Sequence, residues 1–328
     1  MRSTRAGGVR HALLAVLAVV CAVLVPLGSA SASSGRAAAD ATHTFRVLVG
    51  NESPHMALSG MRFLPREVWV DVGDQVRWVA NSAEIHTVTF YDGGKPQSTI
   101  PVFNPGDSFM NSRHGGHTVL PGKDLNSGIM TTVHTGGDAG PLPPVPLYQH
   151  YTVKFVHQGT YTYYCLVHGV MMSGVVHVQS ARARYPFSQA DYNRQAAGQA
   201  QAVIIDAKAM LRKLQRSSSN HLVWTGSNDT QGMVMRFIHR RIHVKVGDTV
   251  TFSNARSMGE PHTVTFGAEP QGPAIEQYTP QASYDGGDLS SFIPPGQTFK
   301  VTFTKAGTYH YICALHDYMG MVGTVVVE

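Results

Sequence analysis

Charged residues are scarce in this chain, at 14% of 328 positions, while 43% are apolar. That balance excludes a disordered or strongly charged protein and points to packed globular structure. Cysteine is scarcer, with three residues, too few for a framework of several disulfides. Long apolar runs are also lacking. The one candidate, ALLAVLAVVCAVLVPL, has about 16 residues, short of the roughly 20 that a spanning helix needs. It follows Arg2, Arg5 and Arg10 and precedes the small-residue stretch GSASAS, so residues 1–32 read as a signal peptide with cleavage after Ala32. Val20 precedes Cys21 where a lipid-anchored leader would carry a small residue, which counts against a lipoprotein. Cleavage would remove three arginines and no acid, lowering the net charge from +5 to +2, too little for a nucleic-acid partner. The expected product is extracellular or periplasmic, without a stable membrane span. It retains Cys165 and Cys313, which either form one disulfide or are each held by something else.

What the chain does have is a duplication. MRFLPREVWVDVGDQVRWV, starting at Met61, returns as MRFIHRRIHVKVGDTVTF at Met235; HTVTF occurs at His86 and His262; GTYTYYC ending at Cys165 is answered by GTYHYIC ending at Cys313. Within the blocks the period is two: Val68, Val70 and Val72, a Gly73-Asp74 turn, then Val76 and Trp78, with Val244, Val246, Gly247-Asp248, Val250 and Phe252 in the second copy. Short half-buried strands with turn signals predict an all-β protein of two sandwiches, over 41–180 and 220–328. The intervening 181–219 reads as a helical linker packed on one domain, capped by Ser188 with Asp191, with Ile204, Ala207, Leu211 and Leu214 on one stripe. His86 and Cys165 are farther apart than His262 and Cys313, so the first domain carries an insertion, rich in Gly, Pro and His, that reads as loop.

Each copy ends in a cysteine-histidine-methionine loop. CALHDYMGMVG supplies Cys313, His316 and Met321, joined by His262; CLVHGVMMSG supplies Cys165, His168 and Met172, joined by His86. Tyr161, Tyr163 and Cys165 share a strand face, as do His86, Val88 and Phe90, and the second copy repeats both rows, so thiol and imidazole converge from the core side. This pattern resembles the cupredoxin family, the blue copper proteins such as plastocyanin and pseudoazurin. The resemblance implies two Greek-key sandwiches, each with a type 1 copper ion on His86, Cys165, His168 and Met172, or on His262, Cys313, His316 and Met321. Two imidazoles, one thiolate and a weak thioether suit copper better than zinc, which favours four strong ligands. The first loop is one residue shorter than the second. Met172 is preferred to Met171 because Met172-Ser173-Gly174 matches Met321-Val322-Gly323.

The implied function is one-electron transfer with a redox partner protein. The outer edge of His168 or His316 would be the exit, within a patch of Leu166, Val167 and Val170 or of Leu315, Tyr318 and Met319. The competing classes are a two-domain copper oxidase or nitrite reductase and a copper storage or delivery protein. Against an enzyme, the neighbours of the cysteines are Tyr164, Leu166, Ile312 and Ala314 rather than histidine, and paired H-x-H motifs are absent after residue 32. Asn81 and Asn254 are candidates for orienting the copper loops, with turn roles as the alternative. His114, His117, His134 and His150, in or beside the insertion, could hold a second metal or be solvated loop residues.

Overall fold

A computed structural model of the chain describes residues 42–101, 104, 106–133 and 145–328; the expected signal segment and His134 lie outside the described residues. The alternating strands form two β-sandwiches joined by one long helix. In the first, Thr44–Glu52 pairs with Leu58–Leu64 and Gln75–Ala80, and Gln75–Ala80 with His150–Phe155. The facing sheet orders Glu67–Asp71, Gly169–Gln179, Gly159–Cys165, Thr89–Phe90 and Leu125–Ser127. The second sandwich repeats the scheme, with Leu222–Asn228, Gly232–Ile238, Thr249–Ser253 and Thr298–Phe303 opposed by Arg241–Val244, Val322–Val327, Gly307–Ile312 and His262–Phe266. Between the sheets lie rows of fully buried aromatics, Phe63, Trp78, Phe90 and Tyr163 in one core and Phe237, Phe252, Phe266 and Tyr311 in the other. Burial of side chains this large dominates the stability of each sandwich.

The two sandwiches share a sheet. Leu58–Leu64 and Gly232–Ile238 pair antiparallel, Gly60 with Gly232, Ser59 with Met233 and Leu58 with Val234, which fuses one sheet of each domain into a ten-stranded whole. The paired residues immediately precede MRF in each strand, and the ladder maps onto itself when the copies are exchanged. Met61 N donates to Gln231 O and Met235 N to Ala57 O, each at 2.9 Å. The junction is thus isologous, like that of a two-fold dimer, and it closes two sheet edges at once.

The helix Gln189–Ser217 begins at the expected cap: Ser188 and Asp191 form a capping box. It does not pack on one domain, as its stripe alone suggested. It crosses the junction, contacting Thr44–Glu52 and Leu58–Leu64 of the first domain and Leu222–Asn228 and Gly232–Ile238 of the second. Ala207 and Leu214 are buried with Leu58, Trp224, Val234 and Ile238, a cluster drawn from both domains, while Ile204 and Leu211 are half-buried beside it. Tyr192 adds an anchor at the other end, its hydroxyl accepting Trp69 N–H at 2.7 Å. The insertion is also more structured than a loop. It contains the helical turn Ser108–Asn111 and short strands such as Arg113–His114 and Leu125–Ser127, and it builds a small cluster of Met110, Ile129 and Leu166.

Candidate metal centres

Each strand histidine reaches its centre through a tight backbone device. His86 exchanges two backbone hydrogen bonds with Met130, at 2.9 and 2.7 Å, and His262 pairs with Ile293 in the corresponding place. On the outer side of each ring stands a glycine at a bulge: Gly50 at φ 71° and Gly226 at φ 80°. A methyl group there would lie 2.4 Å from His86 Nε2 or 2.8 Å from His262 Nε2, so both φ and space demand glycine. No expectation from sequence covered these residues. Their signal is the matched LVGNE and WTGSN ahead of the two MRF blocks.

The donor atoms converge in both copies. In the first, Cys165 Sγ lies 3.8 Å from His86 Nδ1 and 3.4 Å from His168 Nδ1; in the second, Cys313 Sγ lies 3.7 Å from His262 Nδ1 and 3.4 Å from His316 Nδ1. Bonds of about 2.0 Å to imidazole and about 2.3 Å to thiolate, spread at roughly 120°, set nitrogen and sulfur about 3.7 Å apart. The donors therefore fit one first-row metal ion per domain. Both cysteines are buried and free, which removes the disulfide alternative. Each sulfur accepts a backbone N–H, from Thr87 at 3.4 Å and from Thr263 at 3.3 Å, a contact that favours thiolate. The same threonines fix the next residue, Thr87 Oγ1 accepting Leu166 N–H at 2.8 Å and Thr263 Oγ1 accepting Ala314 N–H at 2.6 Å.

Met172 is fully buried in the core cluster that contains Cys165, and Met321 in the one that contains Cys313. Met171 instead is half-buried, its methyl 3.1 Å from the Cβ position of Gly259 in the other domain. The alignment used to choose Met172 has a structural counterpart: Gly174 pairs with Tyr163 and Gly323 with Tyr311, each tyrosine ring lying where a glycine Cβ would be. The loops themselves differ. Strand structure resumes at Gly169 in the first, whereas the second inserts a 3-10 turn, Asp317–Met319, closed by Gly320 in the left-handed region.

The other candidates separate. Asn254 Nδ2 donates to Glu260 O and Ile293 O, both at 2.9 Å, tying down the segment that leads to His262, and Asn81 Nδ2 donates to Gly50 O at 3.0 Å. His114 stacks on Phe109, His117 Nδ1 lies 2.8 Å from Thr152 O, and His150 is exposed. None of these three joins a metal-binding cluster among the described residues.

The largest departure concerns the expected exits. His168 and His316 are each only 4% exposed, and the Nε2 edges of both lie within 4 Å of Glu260 of the second domain. Met319 and Tyr318, expected on a surface patch, are inserted against the first-domain core, and Leu166 is buried; only Val170 of the patch residues is exposed. Beside His316 lies a pair that sequence reading missed, Glu84 and Glu260, 2% and 8% exposed. Each precedes its strand histidine by two residues, in EIHTVTF and EPHTVTF. Carboxylate oxygens of both lie within 4.8 Å of a His316 nitrogen.

This neighbourhood makes matched donors titrate differently. Burial, with the His168 charge, pulls His86 down, and burial pulls His168 down, favouring the neutral ring that ligates metal. Burial pushes the Cys165 thiol up to about 11. Burial acts the same way on Cys313, but the adjacent His316 cation outweighs it and holds that thiol well below its usual value. Burial lowers His316, but Cys313 and Glu260 outweigh it and hold the imidazole well above its usual value. Glu260 lies 3.3 Å from His316, against 3.9 Å from His168. The two glutamates split likewise. Burial raises Glu84 to about 8, whereas for Glu260 the His316 contacts overcome burial and lower it to about 2.

Two sandwiches that each gather two buried imidazoles and a thiol, with a methionine buried in the same core, define a copper-binding class of protein. The family comparison agrees. The family model for copper binding proteins of the plastocyanin/azurin family matches residues 53–179 and 224–328, and the chain belongs to that family. Chloroplastic plastocyanin of Hordeum vulgare is 36% identical over 153 residues, covering 46% of this chain and 88% of the relative. Amicyanin of Paracoccus denitrificans is 39% identical over 94 residues, covering 29% of this chain and 60% of the relative. A solved Cu(I) structure of an amicyanin variant aligns at 32% identity with a TM-score of 0.23, covering 33% of this chain and 80% of that one. No described helix is long and apolar enough to cross a membrane.

Proposed function

We propose that the chain is an exported electron-transfer protein with two type 1 copper sites, His86, Cys165, His168 and Met172 in the first domain and His262, Cys313, His316 and Met321 in the second. The observation that carries this reading is the duplicated donor set, with nitrogen-to-sulfur spacings of 3.8 and 3.4 Å in one copy and 3.7 and 3.4 Å in the other. Bound copper would supply a one-electron couple. The residues do the rest. The strand histidines are locked by sheet pairing and by the glycines behind them, the thiolates are stabilised by Thr87 and Thr263 N–H groups, and both cores exclude water from the sulfur. Donors held this rigidly change little between oxidation states, which suits electron transfer better than open, exchangeable delivery. Neither cysteine has a histidine neighbour to lead toward a second kind of metal centre. A redox partner has no access to the His168 and His316 edges, since both are covered in this structure, so it docks elsewhere. Reductive titration of the copper-loaded protein tests the reading: bleaching of the visible band with two electrons per chain supports it, and a band that does not respond to reductant contradicts it.

A further inference from the structure

His168 and His316 turn Nδ1 toward their own cysteines, at 3.4 Å each, and so turn Nε2 toward the other domain. One carboxylate spans the gap, with Glu260 Oε1 3.3 Å from His316 Nε2 and Oε2 3.9 Å from His168 Nε2. His168 Nε2 is buried with no hydrogen-bond partner of its own. Glu260 is placed by its backbone. Asn228 Oδ1 accepts the N–H groups of Met258, Gly259 and Glu260 at 2.9, 3.3 and 3.4 Å, and Glu260 O accepts from Asn254 Nδ2 at 2.9 Å and Ser257 Oγ at 2.8 Å. Asn228 ends the strand beside the domain junction, so the junction itself sets where this carboxylate stands.

An imidazole that gives Nδ1 to a metal keeps its proton on Nε2, and a buried N–H requires an acceptor. Glu260 offers a carboxylate oxygen within 4 Å of Nε2 of both His168 and His316. We propose that Glu260 is a positioning residue for both metal centres, a second-domain carboxylate that completes the first-domain site, so that the two centres are built as one hydrogen-bonded unit across the interface. The inference rests on the two-copper reading above. The His316 arm is near hydrogen-bond length, and the His168 arm closes with a movement of roughly 0.7–1 Å. Occupancy of one centre then fixes the carboxylate that the other needs, and the two bind metal cooperatively.

The test uses the full chain and copper(I) alone as the probe. In the diamagnetic copper(I) protein, nitrogen-15 NMR should show two solvent-protected Nε2–H groups, of His168 and His316. Glu260→Ala should abolish protection of both and weaken copper(I) binding at both sites by about 10–100-fold, the usual effect of losing such a partner. Glu260→Gln, which preserves shape and one acceptor oxygen, should keep one protected N–H. The proposal is overturned if Glu260→Ala weakens only the second-domain site, or if His168 Nε2–H exchanges freely in the unaltered protein, a result that needs no variant to fold. It is also overturned if a third copper binds and is lost with Glu260. A copper-loaded protein without a visible band would sink the functional reading instead, so the two failures are distinguishable.

Discussion

The two halves of the molecule carry nearly identical donor geometry in unequal surroundings. Sulfur-to-nitrogen distances agree within 0.1 Å between the copies. The neighbourhoods do not. His86 Nε2 has Ser82 Oγ at 3.0 Å, while His262 Nε2 is buried without a partner. The second loop closes through a 3-10 turn that the first lacks, and the paired glutamates shift in opposite directions. The lesson is that duplication preserved what the ligands require of the backbone, whereas the isologous junction placed two equivalent sets of side chains in one confined space, where burial raises Glu84 and the His316 contacts lower Glu260.

The comparison breaks most severely at sulfur. At saturating copper, Cys165→Ser should remove one copper and its share of the visible band while the second centre still fills, with weakened affinity, and Cys313→Ser should do the converse, read by metal stoichiometry and absorption. The sandwich cores should survive both changes, since neither depends on a metal to fold as a zinc finger does. Simultaneous loss of both centres in either variant would show that the ligand sets are not confined to their own domains.

Gly50→Ala and Gly226→Ala probe the backbone device common to both halves. The new methyl group would lie 2.3 Å from Ser82 Oγ in the first case and 2.6 Å from Val234 O in the second. Strain at positive φ alone costs on the order of 1–3 kcal/mol. Denaturant unfolding should register that loss in both variants, with the absorption change confined to the altered domain.

The glutamates sharpen the contrast. In metal-free protein Glu84 titrates near 8 rather than near its ordinary value of 4.5, so the folded state binds more protons than the unfolded state in that window. Stability should therefore fall as pH rises from about 4.5 through 8, by a few kcal/mol at the upper limit. Glu84→Gln should flatten this slope. Glu260, lowered to about 2, works in the opposite sense: its contribution is present above 4.5 and is lost as pH falls toward 2. Unfolding curves for Glu84→Gln that keep the full slope would contradict the assignment.

The smallest expected effect is at the axial position. Met172→Leu conserves volume and should cost less than about 1.5 kcal/mol. It should raise the first centre's potential and leave the second nearly unchanged, while Met171→Leu should do little. Voltammetry in which Met171, and not Met172, moves the first centre would reverse the glycine-anchored alignment.

Much of this was legible from the chain. Period-two strands, repeated turns and inward-phased His86, Cys165, His262 and Cys313 pointed to the sandwich architecture and to the convergence of those side chains, because each signal is local. The helix stripe of Ala207 and Leu214 announced a buried face but not its occupants, since a stripe says nothing about which domain covers it. Glu84 and Glu260 were written in the sequence as matched E-x-H, yet a glutamate before a strand reads as solvated until the junction at Ser59 and Met233 turns the two domains face to face. That same junction removed the histidine edges from the surface, an outcome of domain pairing that no single repeat encodes. In the insertion, strands of two or three residues are too short to show a period.

The central claim is that both halves hold copper through matched thiolate sites. Copper content measured together with the visible absorption of the oxidised full chain tests it most directly. The account predicts two coppers per chain and an intense thiolate-to-copper band that loses part of its intensity with each cysteine replaced. One copper per chain, or a fully loaded but colourless protein, would contradict it.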